Sequence, residues 1–185
     1  MEGNNEEFTQ LGLNQLMQIY DKNEGKHCLV FDKNGNCATF FAYQAALIEF
    51  HKEVVAAQGG IKSKEDALEV LRNKTALVMG GLATSNNLVI DIAATRPDFA
   101  NEFTAGPELY PTALVFDKEQ WANRDNHIKI VREAENRSAH GAQGQFAYVD
   151  KFNITILAKY VSDDECNEYL KKLPNPEAWA KFIIN

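Results

Sequence analysis

The segment from Arg137 to Gln145 combines residue types that can carry out acid–base chemistry. It reads Arg-Ser-Ala-His-Gly-Ala-Gln-Gly-Gln, and so holds a histidine, a hydroxyl, a cation and two glycines that leave the backbone adaptable. With a carboxylate such as Asp91, the side chains of His140 and Arg137 can form the site of a small hydrolase or transferase. The same composition is typical of a solvent-exposed loop, which is the interpretation favoured here. His140, Arg137 and Asp91 are therefore candidate catalytic residues of an alternative, enzymatic hypothesis.

A long connection from Thr95 to Pro111 interleaves charged and aromatic residues. Its glycine and three prolines predict irregular structure, and connections of this length are often functional. Exposed aromatic side chains on such a loop are enriched in protein interfaces, although the same rings can instead pin the loop onto the core. Both possibilities stay open. The candidate binding residues are Arg96, Phe99, Glu102, Phe103 and Tyr110.

His27, Cys28 and Cys37 are the nearest approach to a metal site in the sequence. The dipeptide Asn34-Gly35 predicts a two-residue turn between strands, which makes residues 27–41 a hairpin. In that hairpin the two cysteines are offset by four residues, or roughly 13 Å at about 3.3 Å per residue. This separation is too long for a disulfide, which needs Cα atoms within about 7 Å, and for a shared zinc ion. Both cysteines are predicted to be buried structural thiols, and no metal is expected.

No signature of a bound cofactor occurs in the sequence. The chain contains neither GxxxxGK[ST] nor GxGxxG, the glycine patterns that hold phosphates and dinucleotides. Cys166 lies in the first turn of a predicted helix, where a thiol can become nucleophilic. It falls on the apolar stripe of that helix, however, and is predicted to be inert. No cofactor is therefore expected.

The charge of the chain argues against a nucleic acid as its partner. The 185 residues carry a formal charge of -7, and no cluster of lysine and arginine offers the phosphate contacts that a nucleic acid requires. Hydrophobic residues make up 45% and charged residues 24%, the balance of a globular protein. No apolar run reaches the roughly 18 residues of a membrane helix. The acidic start at residues 1–7 and the odd number of cysteines predict a cytoplasmic protein.

Short apolar runs bounded by polar residues predict buried strands. The pentapeptide Leu-Val-Phe-Asp-Lys occurs twice, at residues 29–33 and 114–118, and each copy reads as a strand buried on both faces. Residues 152–160 alternate most regularly between two faces, which is the period of a strand. The other predicted strands are residues 76–79, 88–92 and 127–133.

Helices are predicted from apolar residues at three-and-four spacing and from capping patterns. Ser63 with Asp66, and Ser162 with Glu165, have the spacing of a capping box. Asn175-Pro176 predicts a further short helix that carries Trp179. The predicted helices are residues 9–21, 42–58, 63–73 and 162–173, with the short one after residue 175.

The order of these elements predicts a single α+β domain over residues 1–185. Runs of adjacent strands favour a mixed or mostly antiparallel sheet, covered by an N-terminal helix, a central helix pair and C-terminal helices. The leading functional hypothesis is a non-enzymatic protein-interaction or assembly subunit that binds a protein partner or itself. The alternatives are a small hydrolase or transferase using residues 136–145, and a small-ligand-binding module with a cavity of about 300 Å³ or more.

Overall fold

Six strands form one sheet in the computed structural model, which describes residues 8–185. The sheet order is β1-β6-β2-β5-β4-β3, every neighbouring pair is parallel, and helices cover both faces. The predicted absence of a secretory signal rests on residues 1–7, which lie outside the described range. The strands are β1 Thr9–Leu11, β2 His27–Asp32, β3 Ala46–Ile48, β4 Asn87–Ala93, β5 Asn153–Lys159 and β6 Trp179–Ile184.

The parallel sheet shows that the predicted mixed or mostly antiparallel arrangement was wrong. The predicted hairpin over residues 27–41 is instead strand β2, a short loop and a helix that begins at Cys37. The Asp32 carboxylate explains this path, because it accepts hydrogen bonds from the backbone N–H groups of Asn34, Gly35 and Cys37 at 2.7–3.1 Å. These bonds turn the chain off the sheet into the helix and do not return it alongside β2.

Most of the other segments predicted as strands are helical in the structure. Residues 76–79 form the last turn of α3, residues 112–115 form α4, and residues 127–130 are helical rather than extended. The α-helices are α1 Cys37–Gln44, α2 Phe50–Gln58, α3 Lys64–Met79, α4 Thr112–Val115, α5 Lys118–Ala122, α6 Arg124–His127 and α7 Asp163–Leu170. Three 3₁₀ segments are Leu13–Tyr20, Ile128–Ile130 and Pro176–Ala178.

Local capping signals identified two helix starts correctly. Ser63 Oγ accepts a hydrogen bond from the Asp66 backbone N–H at 3.0 Å, and Ser162 Oγ accepts one from Glu165 at 3.2 Å. Strands β4 and β5 are also confirmed, within a residue or two of their predicted bounds. The first three residues of the predicted helix at 9–21 form β1, and the predicted helix at 42–58 is interrupted by the three-residue strand β3.

The sheet separates two apolar layers of unequal thickness. Side chains alternate along each strand, so Leu29 and Phe31 face the thicker layer, while Cys28 and Val30 face the thinner one. Helices α2, α3 and α7 and many residues between 95 and 152 pack into the thicker layer. The thinner layer holds α1 and the 3₁₀ segment that ends at Tyr20. Within residues 8–185, no helix is both long enough and apolar enough to cross a bilayer.

A buried ion pair joins α3 to the segment that follows residue 130. The Arg72 guanidinium, 2% exposed, donates to both carboxylate oxygens of Glu135 at 2.9 and 3.0 Å and to the Ile130 carbonyl at 2.6 Å. Glu135 also accepts from the Asn73 side chain and from the Arg132 backbone N–H. Burial acts to raise the pKa of Glu135, but these hydrogen bonds outweigh it and lower that pKa overall.

Candidate functional site

A polar cavity of about 550 Å³ lies at the edge of the sheet where the strands begin. Strands β2, β5 and β4 are neighbours, and because they are parallel their amino ends meet at the same edge. The short segments that precede these three strands surround the cavity together with the start of α5. The residues that matter chemically are Tyr20, Asn23, Asn86, Asn87, Lys118 and Asn153.

Lys118 is the principal charged group of this cavity. It is half-buried at the first position of α5, a helix that Asp117 caps by accepting from the Gln120 backbone N–H at 3.1 Å. Among residues 8–185, its ammonium group has no hydrogen bond and no ion pair. Burial lowers the pKa of Lys118, with a smaller opposing contribution from Cys28. The cavity therefore holds a lysine donor that the described chain leaves without an acceptor.

Asparagine amides supply most of the remaining polar lining. Asn153 is 2% exposed; its Nδ2 donates to the Lys26 carbonyl at 3.0 Å, while its buried Oδ1 has no partner within the described chain. The side chains of Asn86 and Asn87 make no hydrogen bond to residues 8–185. An unsatisfied buried polar atom costs free energy, and the Asn153 Oδ1 is such an atom. Together with the exposed amide of Asn86 and the half-buried amide of Asn87, it gives the cavity several polar groups that can bind another molecule.

Neutral groups lie behind the cavity. The Tyr20 hydroxyl contacts Thr155 Oγ1 at 3.3 Å, and burial raises the pKa of the Tyr20 phenol. Burial also raises the pKa of the Cys28 thiol to about 12, so this thiol is not a nucleophile near pH 7. His27 is fully buried, and its Nδ1 accepts from the Ile154 backbone N–H at 3.0 Å. Burial and the nearby Lys118 charge lower the pKa of His27 to about 3.

The neutral His27 predicts that the protein loses stability in mild acid. The unfolded chain takes up a proton near pH 6.5, whereas the folded ring does not until about pH 3. This contribution to stability is therefore fully present above pH 6.5 and falls by about 1.4 kcal/mol per pH unit below it, or about 2 kcal/mol at pH 5. Urea titrations of the wild type and of His27→Gln, whose amide oxygen keeps an acceptor for Ile154, measure this difference.

The control for that experiment is His140→Gln, because His140 is exposed. Between pH 7 and pH 5, the free energy of unfolding of His27→Gln should fall by about 2 kcal/mol less than that of the wild type. The His140 variant should follow the wild type. His127 is also buried with a lowered pKa and titrates alike in all three proteins, so only the differences are informative. Equal slopes for the wild type and His27→Gln would contradict a neutral buried His27.

The opposite edge of the sheet holds the sequence-predicted residue Asp91. Its Oδ1 accepts from the Ala93 backbone N–H at 2.9 Å, and its Oδ2 lies 3.6 Å from His51 Nδ1. Burial raises the pKa of Asp91, while Ala93 and His51 act to lower it. The histidine beside Asp91 is thus His51 and not the candidate His140. The separation of 3.6 Å is too long for a hydrogen bond.

The other two candidate catalytic residues lie in a small exposed hairpin. Arg137 bridges to Gln143 through the backbone, and the Ser138 N–H donates to the Ala142 carbonyl at 2.9 Å. His140 is at the exposed tip, and within residues 8–185 it has no hydrogen bond, ion pair or ring contact. The structure therefore does not give His140 the carboxylate partner that the enzymatic hypothesis requires.

The aromatic candidates of the 95–111 connection are buried. Phe99, Phe103 and Tyr110 are each 0% exposed, and the Tyr110 hydroxyl contacts Thr75 Oγ1 at 3.0 Å. Of the charged candidates, Glu102 is exposed and forms a 3.7 Å ion pair with Lys64. Arg96 donates to the backbone carbonyls of Ala93 and Lys159. The rings pin this connection onto the core, which was one of the two possibilities left open above.

The cysteines agree with the prediction, although the argument for it was wrong. Cys28, Cys37 and Cys166 are free and fully buried. Burial raises the pKa of all three thiols, that of Cys166 to about 11. Cys28 and Cys37 lie in a strand and a helix, so the hairpin spacing does not apply to them.

Lys118, Asn87, Asn153 and Tyr20 were not singled out by the sequence. Lys118 is the last residue of the second copy of Leu-Val-Phe-Asp-Lys, and Asn87 and Asn153 are the first residues of β4 and β5. The sequence does show polar residues at the starts of strands. They indicate a shared site only when it is known that the strands are parallel and which of them are neighbours.

The fold and the cavity define a parallel α/β protein with a polar, ligand-sized site at the amino edge of its sheet. The chain matches no known protein family and no curated protein, and the structure matches no solved structure. The function must therefore be inferred from the site itself.

Proposed function

We propose that this protein binds a small polar ligand in the cavity at the amino edge of the sheet. The observation that carries the proposal is Lys118, a half-buried lysine without an acceptor or acid partner in the described chain, lining a cavity of about 550 Å³. Cavities of about 300–1,000 Å³ are typical of small-molecule sites. The ligand supplies the missing acceptor, an anionic or carbonyl oxygen placed at the Lys118 Nζ.

The rest of the lining supports a polar ligand. Asn86, Asn87 and Asn153 offer amide groups that can bind hydroxyl or carboxylate groups. The exposed residues Asp21, Asp150 and Lys151 place charges of both signs at the rim, so the cavity does not select simply for net charge. We therefore expect a ligand with both donors and acceptors, such as a hydroxy acid, an oxo acid or a small sugar derivative.

The amino edge is preferred over the carboxyl edge because its cavity holds a half-buried lysine without an acid partner in the described chain, whereas the unbonded His51 Nδ1 at the carboxyl edge lies 3.6 Å from the Asp91 carboxylate. Ligands of open α/β sheets generally bind outside the carboxyl ends of the strands. In this protein Asp32 and Arg96 at that edge are bonded to the chain's own backbone. At the amino edge, by contrast, Lys118 and the Asn153 Oδ1 have no partner within the described chain.

The burial of Phe99, Phe103 and Tyr110 weakens the assembly-subunit hypothesis. That hypothesis drew its binding surface from aromatic side chains exposed in the 95–111 connection. With the rings inside the core, the proposal rests on the small-ligand alternative instead.

Ligand-observed NMR with Lys118→Met tests the proposal. The probes are lactate, pyruvate, glyceraldehyde and ribose, each titrated against the wild type, the variant and the control Lys22→Met. Lys22 is an exposed lysine outside the cavity lining. At least one probe should bind the wild type, and Lys118→Met should weaken it by about 10–100-fold, because a hydrogen bond from a charged donor contributes about 1.5–3 kcal/mol. Lys22→Met should bind like the wild type.

Two outcomes would overturn the proposal. One is that none of the four probes binds the wild type. The other is that Lys118→Met binds with wild-type affinity while circular dichroism shows it folded, which would remove Lys118 from the site.

A further inference from the structure

We infer that Lys118 is a nucleophilic amine and that the ligand of the cavity is an aldehyde or ketone with which it forms an imine. This inference rests on the proposed function and specifies the substrate class of the same site. It explains why a lysine without a hydrogen bond or ion pair in the described chain lines a cavity rich in amides, whose rim also carries Asp21, Asp150 and Lys151.

The surroundings of Lys118 make its charged form less favourable than that of an exposed lysine. An adjacent carboxylate would hold the lysine as an ammonium ion, but Lys118 has no ion pair within residues 8–185. The groups behind it are the buried, uncharged His27 ring and the Cys28 thiol. Half-burial of the side chain disfavours its charge and lowers its pKa, which is the usual way in which proteins prepare a lysine for imine chemistry.

The other candidate nucleophiles near the cavity are less suitable. The Cys28 thiol stays protonated, because burial raises its pKa to about 12. Lys151 lines the cavity but is exposed at the rim. Lys118 is the lysine of the lining that is both partly desolvated and free of a partner.

The reaction needs only the amine, the carbonyl compound and proton transfers. The lone pair of the neutral Nζ attacks the carbonyl carbon, and the π electron pair moves to the oxygen, which gains a proton and becomes a hydroxyl group. The carbon–oxygen bond then breaks as a C=N bond forms. Water leaves carrying the carbonyl oxygen and the two hydrogens that the amine has lost. Nothing is oxidised or reduced in this exchange.

Tyr20 and the asparagine amides can assist this step. Tyr20 lines the cavity and keeps its phenolic proton, because burial raises its pKa, so its hydroxyl can donate a hydrogen bond to the carbonyl oxygen of the ligand. The amide groups of Asn86, Asn87 and Asn153 are available to the rest of the ligand, its hydroxyl or carboxylate groups. A short hydroxyaldehyde or an oxo acid fits both requirements.

Reductive trapping tests this inference directly. The full chain is incubated with glyceraldehyde or pyruvate and then with sodium borohydride, which reduces an imine to a stable secondary amine, and the modified peptide is located by mass spectrometry. Lys118 should be labelled faster than the exposed Lys22, by about tenfold for each unit by which its pKa is lowered. Labelling of Lys118 should rise with pH, since the neutral amine is the reactive form.

Lys118→Arg separates the failure of this inference from the failure of the proposed function. Arginine keeps a charged donor but forms no imine under these conditions, so this variant should bind the NMR probes and yield no labelled peptide at position 118. If the wild type binds a carbonyl probe but Lys118 is labelled no faster than Lys22, the imine inference is wrong and the proposal of ligand binding stands. Absence of binding by all the probes would overturn both.

Discussion

Replacement of Glu135 by Ala is expected to lower the free energy of unfolding by about 3–5 kcal/mol. The change leaves the Arg72 guanidinium, which is 2% exposed, without the two charge-assisted hydrogen bonds that Glu135 accepts. Removing one partner of a buried ion pair has this large cost because the remaining charge stays in a poorly solvating environment. Glu69, which also contacts Arg72, is 35% exposed and compensates only in part. Urea denaturation followed by circular dichroism measures the change.

Two further variants make the Glu135 experiment specific. Glu133→Ala removes an exposed acid two positions away and should change stability by no more than about 0.5 kcal/mol. The double variant Arg72→Met with Glu135→Leu removes both charges and should recover much of the loss, since an apolar pair of similar volume often replaces a buried ion pair well. A cost below about 1 kcal/mol for Glu135→Ala would show that the pair is not buried in solution.

Phe99→Ala is expected to destabilise the protein by about 3–5 kcal/mol, the usual cost of removing a buried phenyl ring. Phe99 is fully buried, with its ring centroid 5.9 Å from that of Phe50 and 5.2 Å from that of Phe116. Truncation leaves a cavity between α2 and α4 and removes two aromatic contacts. The midpoint of urea denaturation should fall without a change in its slope.

Tyr43→Ala is the matched control for Phe99, because Tyr43 is an aromatic residue that is 85% exposed. It should change stability by no more than about 0.5 kcal/mol. The comparison separates the two roles that the sequence left open for the 95–111 connection. If Phe99→Ala were as stable as Tyr43→Ala, the ring would not be part of the core, and a role in a protein interface would regain support.

Local sequence signals were sufficient to predict those features that depend on residues close together in the chain. The capping boxes at Ser63 and Ser162 identified the starts of α3 and α7, since a cap is a contact between residues three positions apart. The alternation of β5 was also visible, although the strand is buried on both faces. These features depend on hydrogen bonds and periodicity within a few residues.

The pentapeptide Leu-Val-Phe-Asp-Lys shows that a local sequence does not by itself determine secondary structure. Its first copy, residues 29–33, belongs almost entirely to the central strand β2, whereas its second copy, residues 114–118, runs from α4 into α5. The first copy pairs with β5 and β6, which lie more than a hundred residues later in the chain. Identical residues therefore adopt different structures because their partners differ, and the partners are not encoded within the pentapeptide.

The candidate site could not be predicted from the sequence, because it too depends on contacts between distant parts of the chain. Its lining comes from separate stretches around residues 20–23, 86–87, 118 and 150–153, and none of them carries a recognisable motif. They meet because β2, β5 and β4 are adjacent and parallel, which the prediction of a mixed or antiparallel sheet did not allow. Asp91 was named from the sequence as a candidate carboxylate, but its neighbour His51 depends on the position of β3 and α2.

The placement of β6 between β1 and β2 also bears on how the protein is made. Within the sheet β1 is bonded to β6 alone, and β6 is residues 179–184. While the ribosome is still translating the preceding codons, the flank of β2 that β6 will occupy has no pairing strand, and residues 9–11 have no place to dock. The sheet is thus completed only after β6 has left the exit tunnel. Until then the nascent polypeptide exposes unpaired backbone of a central strand, the kind of surface that holding chaperones shield.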